Sequence, residues 1–276
     1  MRQILHISDV HFGPPHRPRV SDGVIELIED RRPDFVAISG DLTQRAKPVQ
    51  FQQARAFVDR IEVPSVTVPG NHDVPMYRVW ERLLSPLGAY RKHFAAELEP
   101  SFEDDEMIIV GINTAFNWTI KGGRFTRASL ERLERAFAGA DESKTKVVIA
   151  HHELIPAPRF DSQRVAWNAQ GAADVLARAG VEMVLSGHLH QSWIGNTEAY
   201  YPSDRRPVLL AFSGTSTSSR GRGCERRRNT CNWIQLRDDE IEISHLLWSD
   251  SAERFEERSR HLFPRRSREA YRLETF

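Results

Sequence analysis

The sequence predicts a layered α/β fold, and three observations carry that expectation. Short apolar runs rich in β-branched residues recur along the chain, stretches of helical period separate them, and a hairpin pattern follows late. The runs are Ile4 to Ser8, Asp34 to Ser39, Pro64 to Val68, Met107 to Ile112, Lys146 to Ala150, Val181 to Leu185 and Val208 to Ala211. Their weak alternation is that of strands covered on both faces.

Each intervening stretch has one apolar stripe. Val20 to Arg31 carries Val24, Leu27 and Ile28, and Val49 to Ile61 carries Phe51, Ala54, Phe57, Val58 and Ile61. Arg127 to Phe137 carries Leu130, Leu133 and Phe137, with Thr126 placed to cap it and Ser129 close behind. Asn168 to Ala179 carries Ala172, Val175, Leu176 and Ala179, then stops at Gly180. Cys231 to Leu236 and Glu240 to Leu246, joined by Arg237-Asp238-Asp239, read as an antiparallel hairpin. The order fits one mixed sheet or a pair of stacked sheets. No repeat or long linker divides the chain, so a single domain is expected over 1–248, with an Arg-rich loop at 214–230 and a helical tail at 249–276.

Composition excludes several classes. The 276 residues can bury a substantial core without staples. Lys+Arg and Asp+Glu are both 38, so global charge supplies no pull toward nucleic acid or an anionic membrane. At 40% hydrophobic and 28% charged, the chain lies outside the disordered class. No apolar run approaches a membrane span, and Asp9 arrives too early for a secretory h-region. Cys224 and Cys231 build neither a disulfide framework nor a four-cysteine zinc site. A soluble cytoplasmic protein with free thiols is expected.

Chemistry-bearing residues gather just after the apolar runs. Asp9 and His11 follow the first, Gly40-Asp41 the second, and Gly70-Asn71-His72-Asp73 the third; His151-His152 and Gly187-His188-Leu189-His190 follow later ones. A lone aspartate there is ordinarily a turn residue, and a lone histidine a packing residue. Five strand ends each delivering a metal-competent group is a different pattern, because ends of parallel strands converge on one crevice. Carboxylates, imidazoles and one amide, without thiolate, suit Mn, Fe, Co or Zn. The donors exceed one ion's needs, and two ions sharing a bridging carboxylate account for them. Such a pair, about 3.5–4 Å apart, suits in-line displacement at phosphorus.

The ordered set Asp9-x-His11, Gly40-Asp41, Gly70-Asn71-His72-Asp73, His151 and Gly187-His188-Leu189-His190 resembles the calcineurin-like metallophosphoesterases. The resemblance implies a four-layer αββα sandwich of two mixed sheets flanked by helices. It implies two divalent or mixed-valence ions (Mn, Fe, Zn or Co): one on Asp9, His11, Asp41 and His190, the other on Asp41, Asn71, His151 and His188. His72, oriented by Asp73, is then left to assist the departing oxygen after attack by metal-activated hydroxide. His152, His16 and Arg17 are candidate substrate contacts. His6, His93, His245 and His261 carry no motif and take ordinary roles.

Residues between the ligands separate branches of the family. Asp41 is followed by Leu42-Thr43-Gln44-Arg45, unlike the Val-Asp-Arg-Gly of phosphoprotein phosphatases, and Gln44 replaces the tyrosine of purple acid phosphatases. Little chain remains after His190 for the DNA-capping region of repair nucleases. The opening His6-Ile7-Ser8-Asp9-Val10-His11-Phe12 and the Gly-His-Leu-His block are similar to those of compact bacterial phosphodiesterases. That resemblance implies a small phosphodiester substrate, foremost a 3′,5′-cyclic nucleotide, with a glycerophosphodiester second and a nuclease or a non-catalytic metal-binding regulator as further alternatives. It also implies a homodimer. The Arg-rich segment departs from a minimal catalytic domain, and is either a solvated loop or a clamp for an anionic substrate.

Overall fold

Alternate residues of a strand face opposite ways, and the computed structural model, which describes residues 1–156, 165–198, 200–202 and 205–265, shows what each face meets. In β1 (Arg2–Ile7) and β2 (Phe35–Ile38), Leu5, Ile7, Val36 and Ile38 turn outward to α1 (Pro18–Arg31) and α2 (Pro48–Val58). Ile4, Phe35 and Ala37 turn inward to a second sheet. β3 (Ser65–Thr67) continues this parallel set, with Ile7 opposite Ile38 and Ile38 opposite Thr67.

Two short helices, α3 (Val79–Leu84) and α4 (Gly88–His93), lead to the second sheet. It comprises β4 (Ser101–Glu103), β5 (Met107–Ile112), β6 (Thr145–Ala150), β7 (Met183–Ser186), β8 (Trp193–Asn196) and β9 (Leu209–Phe212), ordered β4-β5-β6-β7-β9-β8. Its four central strands are parallel, and β4 and β8 are antiparallel edges. Met107, Ile109, Val147 and Ile149 face the first sheet. Ile108, Val110, Val148 and Ala150 face α5 (Arg127–Ala138) and α6 (Ala169–Arg178). The Thr126 hydroxyl accepts from Ser129 N at 3.0 Å, a cap worth about 1 kcal/mol.

The chain then returns to the first sheet through β10 (Thr230–Leu236) and β11 (Glu240–Ser249), the expected hairpin. β10 pairs antiparallel with β1, Ile4 opposite Ile234. The four-layer sandwich is therefore the fold.

The tail is a correction. Residues expected as helix form β12 (Arg254–Pro264), paired antiparallel with β11 along its length. Arg- and Glu-rich composition favours helix locally, but the open β11 edge offers a row of backbone partners. Phe255 is buried against Trp248 at 5.4 Å, and Phe263 packs on the inter-sheet core. The rest of the expected tail, 266–276, lies outside the described residues. Cys224 is exposed and Cys231 buried, both as free thiols. Among the described residues no helix is long and apolar enough to cross a membrane.

Candidate metal centre

β1, β2, β3, β6 and β7 each end in a turn that throws a polar side chain into one crevice. After β1, β2 and β7 left-handed backbone makes the throw: φ is +52° at Asp9, +48° at His11, +53° at Asp41, +69° at His188 and +56° at His190. Non-glycine residues hold that region at on the order of 1 kcal/mol each, and it clusters at functional sites. Gly40 sits at φ +93°, while at Gly70 a Cβ would lie 2.4 Å from the Asp41 amide nitrogen. Gly40 before Asp41 and Gly70 before Asn71 therefore let the two loops touch.

Two donor groups result. Asp9, His11, Asp41 and His190 are buried, with donor atoms within 4.8 Å of one another. His190 Nε2 lies 3.1 Å from Asp9 Oδ1, and His11 Nε2 is 3.6 Å from Asp9 Oδ1 and 3.7 Å from Asp41 Oδ2. His151, His152 and His188 form the second group. Asn71 Oδ1 joins it, 3.2 Å from His151 Nε2 and 2.9 Å from His188 Nδ1, while its Nδ2 donates to Ile120 O at 3.1 Å. Asp41 Oδ1, 3.4 Å from His151 Nε2, ties the groups together.

The donor chemistry fits cations. Main-chain carbonyls accept from Nδ1 of His11 (Thr43 O, 3.4 Å), His190 (Arg220 O, 3.0 Å) and His151 (Ser39 O, 2.7 Å). A carbonyl only accepts, so Nδ1 of each ring carries a proton and Nε2 is the atom turned inward, where a bound cation would take the place of any proton it holds. Burial pushes His11 down to about 3, against the pull of Asp9 and Asp41. Burial alone would raise both aspartates, yet His190 holds Asp9, and His151 and His72 hold Asp41, well below the carboxylate range. Burial likewise opposes a charge on His151, but Asp41 outweighs it and lifts the imidazole to about 10. Asp9 Oδ1 and Asp41 Oδ2 are buried without a hydrogen-bond partner among the described residues. Two buried anions with orphaned oxygens, facing lone pairs, form a dinuclear metal centre.

Asp73 corrects an expectation. Its carboxylate does not touch the His72 ring; it accepts from the amides of Leu42 (3.1 Å), Thr43 (2.9 Å) and Gly70 (2.9 Å) and from the Thr43 hydroxyl (3.0 Å). Burial, then Asp41, push it up to about 7 against those donors. It clips the β2 loop to the β3 loop, while His72 is oriented by Gln44, whose carbonyl accepts from Nδ1 at 3.0 Å. Burial lowers the His72 pKa, with Arg220 acting the same way.

His16 and Arg17 are held away from the donor groups. His16 stacks on Phe12 at 4.1 Å, with Nδ1 3.2 Å from Val10 O. Arg17 donates to Asn229 Oδ1 (2.6 Å) and Asp250 Oδ1 (2.5 Å). His152 does reach the crevice: its Nδ1 lies 2.8 Å from the Thr114 hydroxyl, and its buried Nε2 has no partner among the described residues. Sequence reasoning missed Thr114 and Glu153, and gave Gln44 no place beside His72. Glu153 is buried beside His188 (3.9 Å), and burial raises it to about 7. Its place directly after the histidine pair was the one available signal. Arg220 belongs to the Arg-rich segment 214–230, but nothing in the sequence points its Nη2 at His72 Nε2, 3.4 Å away.

Comparison with known proteins finds relatives in sequence and in fold. The chain is 27% identical over 219 residues to the 3′,5′-cyclic adenosine monophosphate phosphodiesterase of Escherichia coli, covering 73% of this chain and 75% of that one. It is 26% identical over 262 residues to a cAMP/cGMP dual specificity phosphodiesterase of Mycobacterium tuberculosis, covering 86% and 77%. A glycerophosphodiester phosphodiesterase of Enterobacter lignolyticus is 25% identical over 163 residues, 55% of this chain and 57% of that one. In fold, a purple acid phosphatase from yellow lupin (Lupinus luteus) seeds superposes with a TM-score of 0.70 at 14% identity, over 95% of this chain and 53% of that one. A dimetal phosphatase from Danio rerio gives 0.63 at 13%, over 88% and 95%. Residues 2–192, which contain every residue of both donor groups, match the family described as calcineurin-like phosphoesterase, and the chain belongs to that family.

Proposed function

We propose that the protein hydrolyses a small phosphodiester, with Asp9, His11, Asp41 and His190 holding one ion and Asp41, Asn71, His151 and His188 the other. One observation carries the reading: lone pairs and orphaned carboxylate oxygens converge from five strand ends beside a cavity of about 180 Å³. The chemistry that a bound pair supplies is Lewis acidity toward phosphoryl oxygens and acidification of water.

The chain's own residues do the rest. Asn71, fixed through its Nδ2 on Ile120 O, keeps its carbonyl oxygen turned to the imidazoles. His72, whose Nδ1 is held by Gln44, presents Nε2 to the cavity, where the departing oxygen would be met. Asp73 keeps the two loops that carry Asp41 and His72 in register. Asp9 and Asp41 are buried, which favours small esters.

A 3′,5′-cyclic nucleotide is the first substrate to test, because two relatives carry that activity in their names. A glycerophosphodiester is the second, on the same ground. The experiment is metal analysis of the purified protein, then turnover of bis(p-nitrophenyl) phosphate with added manganese, then a panel of cyclic nucleotides, glycerophosphodiesters, oligonucleotides and phosphomonoesters. Absence of metal-dependent turnover across the panel defeats the reading. His72→Ala should keep its metal and lose about a hundredfold or more on alkoxide leaving groups, and less on p-nitrophenolate. Equal losses would remove His72 from the leaving-group side.

A further inference from the structure

The cavity beside His72 has a charge that hydrolysis of a diester does not by itself require. Arg45, Arg82, Lys121 and Arg220 line it together with His72 and Asn71, and no carboxylate contributes to its wall. Among the described residues none of these cations is ion-paired, whereas Arg60, Arg178 and Arg265 each meet an Asp or Glu. Neutral partners hold the guanidiniums in place instead. Arg82 donates to Pro75 O at 3.0 Å and also to Thr119 O, Arg45 lies over the Tyr77 ring at 5.4 Å, and Arg220 donates to Gln44 Oε1 at 3.1 Å. Arg220 Nε is buried without a partner among the described residues. Carbonyls and rings fix such groups in position with no carboxylate in contact among the described residues.

We infer that this wall is an anion subsite, and that the preferred substrate is a phosphodiester carrying a second negatively charged group on its leaving alcohol. The inference rests on the proposed phosphodiesterase reading for which side His72 serves. Arg220 Nη2 lies 3.4 Å from His72 Nε2, so the cations share one cavity with the group placed to meet the leaving oxygen. Val74, Met76 and Ile120 complete the wall and suit the carbon skeleton between the two charges. A singly charged cyclic AMP leaves most of this charge unmet, and a cationic leaving alcohol such as choline is repelled by it.

The test uses the full-length, manganese-loaded protein and three diesters that differ in the charge of the leaving alcohol: glycerophosphocholine, glycerophosphoglycerol, and glycerophosphoglycerol carrying one phosphate monoester. The expected order of kcat/KM is choline lowest and the monophosphate highest, the monophosphate exceeding its parent by more than about fivefold, mainly through KM, and by less at high salt. Lys121→Gln and Arg220→Gln should each shrink that ratio, and Lys121→Arg should keep it. A ratio below about fivefold in the wild type, or one untouched by both Gln variants, overturns the subsite.

Failure of the underlying reading looks different. If bis(p-nitrophenyl) phosphate and all three diesters resist hydrolysis, calorimetric titration of glycerol 3-phosphate into the same protein decides whether the subsite exists. Binding weakened more than about fivefold by Lys121→Gln sustains the subsite, and absent or unchanged binding overturns it.

Discussion

Nε2 of His11 faces Nε2 of His190 at 3.1 Å, and both rings give their Nδ1 proton to a main-chain carbonyl. Two lone pairs at that distance repel unless a cation lies between or beside them. The fold therefore holds these rings against their own electrostatics, and the demand for a cation is built into the backbone that sets the tautomers.

Removing metal should then destabilise the fold as well as abolish turnover. A ligand held at a hundred times its Kd adds about 2.7 kcal/mol, so chelation should lower the thermal midpoint by several degrees, with recovery on adding Mn or Zn. Calorimetry of chelated and reloaded protein checks this. Identical midpoints would mean that the facing imidazoles hold no ion.

Asp41 and Asn71 should separate the two ions. Asp41 reaches both donor groups, whereas Asn71 contacts only the histidines of the second. Asp41→Ala should lose both metal equivalents and all activity, and Asn71→Ala should lose one equivalent preferentially. Metal content by emission spectroscopy decides between this and a pair of independent sites.

Asp73→Asn should act on stability. The amide can accept through only one oxygen where the carboxylate serves three backbone amides and a hydroxyl. Breaking a buried charge-assisted network of this kind costs about 3 kcal/mol. Chemical denaturation should register that loss along with weaker metal binding. Full stability with a changed pH profile of kcat would instead restore Asp73 as the group that orients His72.

His6 makes the protein acid-sensitive. It is buried on β1, its Nε2 2.9 Å from Ser39 Oγ and its Nδ1 accepting from Asn232 Nδ2 at 3.2 Å. Burial takes its pKa from 6.5 to about 3, so the unfolded chain binds a proton that the folded chain refuses. The His6 contribution is constant above pH 6.5 and lowers stability as pH drops from there toward 3, by about 1.4 kcal/mol per unit. His6→Gln, which keeps one donor and one acceptor, should be shallower by that slope when unfolding free energies are compared at pH 6 and pH 4. Parallel curves would show that His6 is not the group responsible.

The amino-acid sequence alone determined the layers and the location of the chemistry. Runs such as Ile4 to Ser8 and Val181 to Leu185 specify buried strands through their own composition, and Asp9, Asp41, Asn71, His151 and His188 follow such runs directly, so chain order places them at strand ends. Tertiary structure decided what no local pattern encodes. The β11 edge drew 254–264 out of helix into a strand by offering backbone partners. Asp73 went to the amides of the neighbouring loop rather than to the adjacent His72, because the β2 and β3 ends lie side by side. Arg220 met His72 only because the loops after β9 and β3 share one crevice. Periodicity reports whether a residue is covered; contact between residues 148 positions apart depends on how sheets stack and edges pair, which chain spacing does not carry.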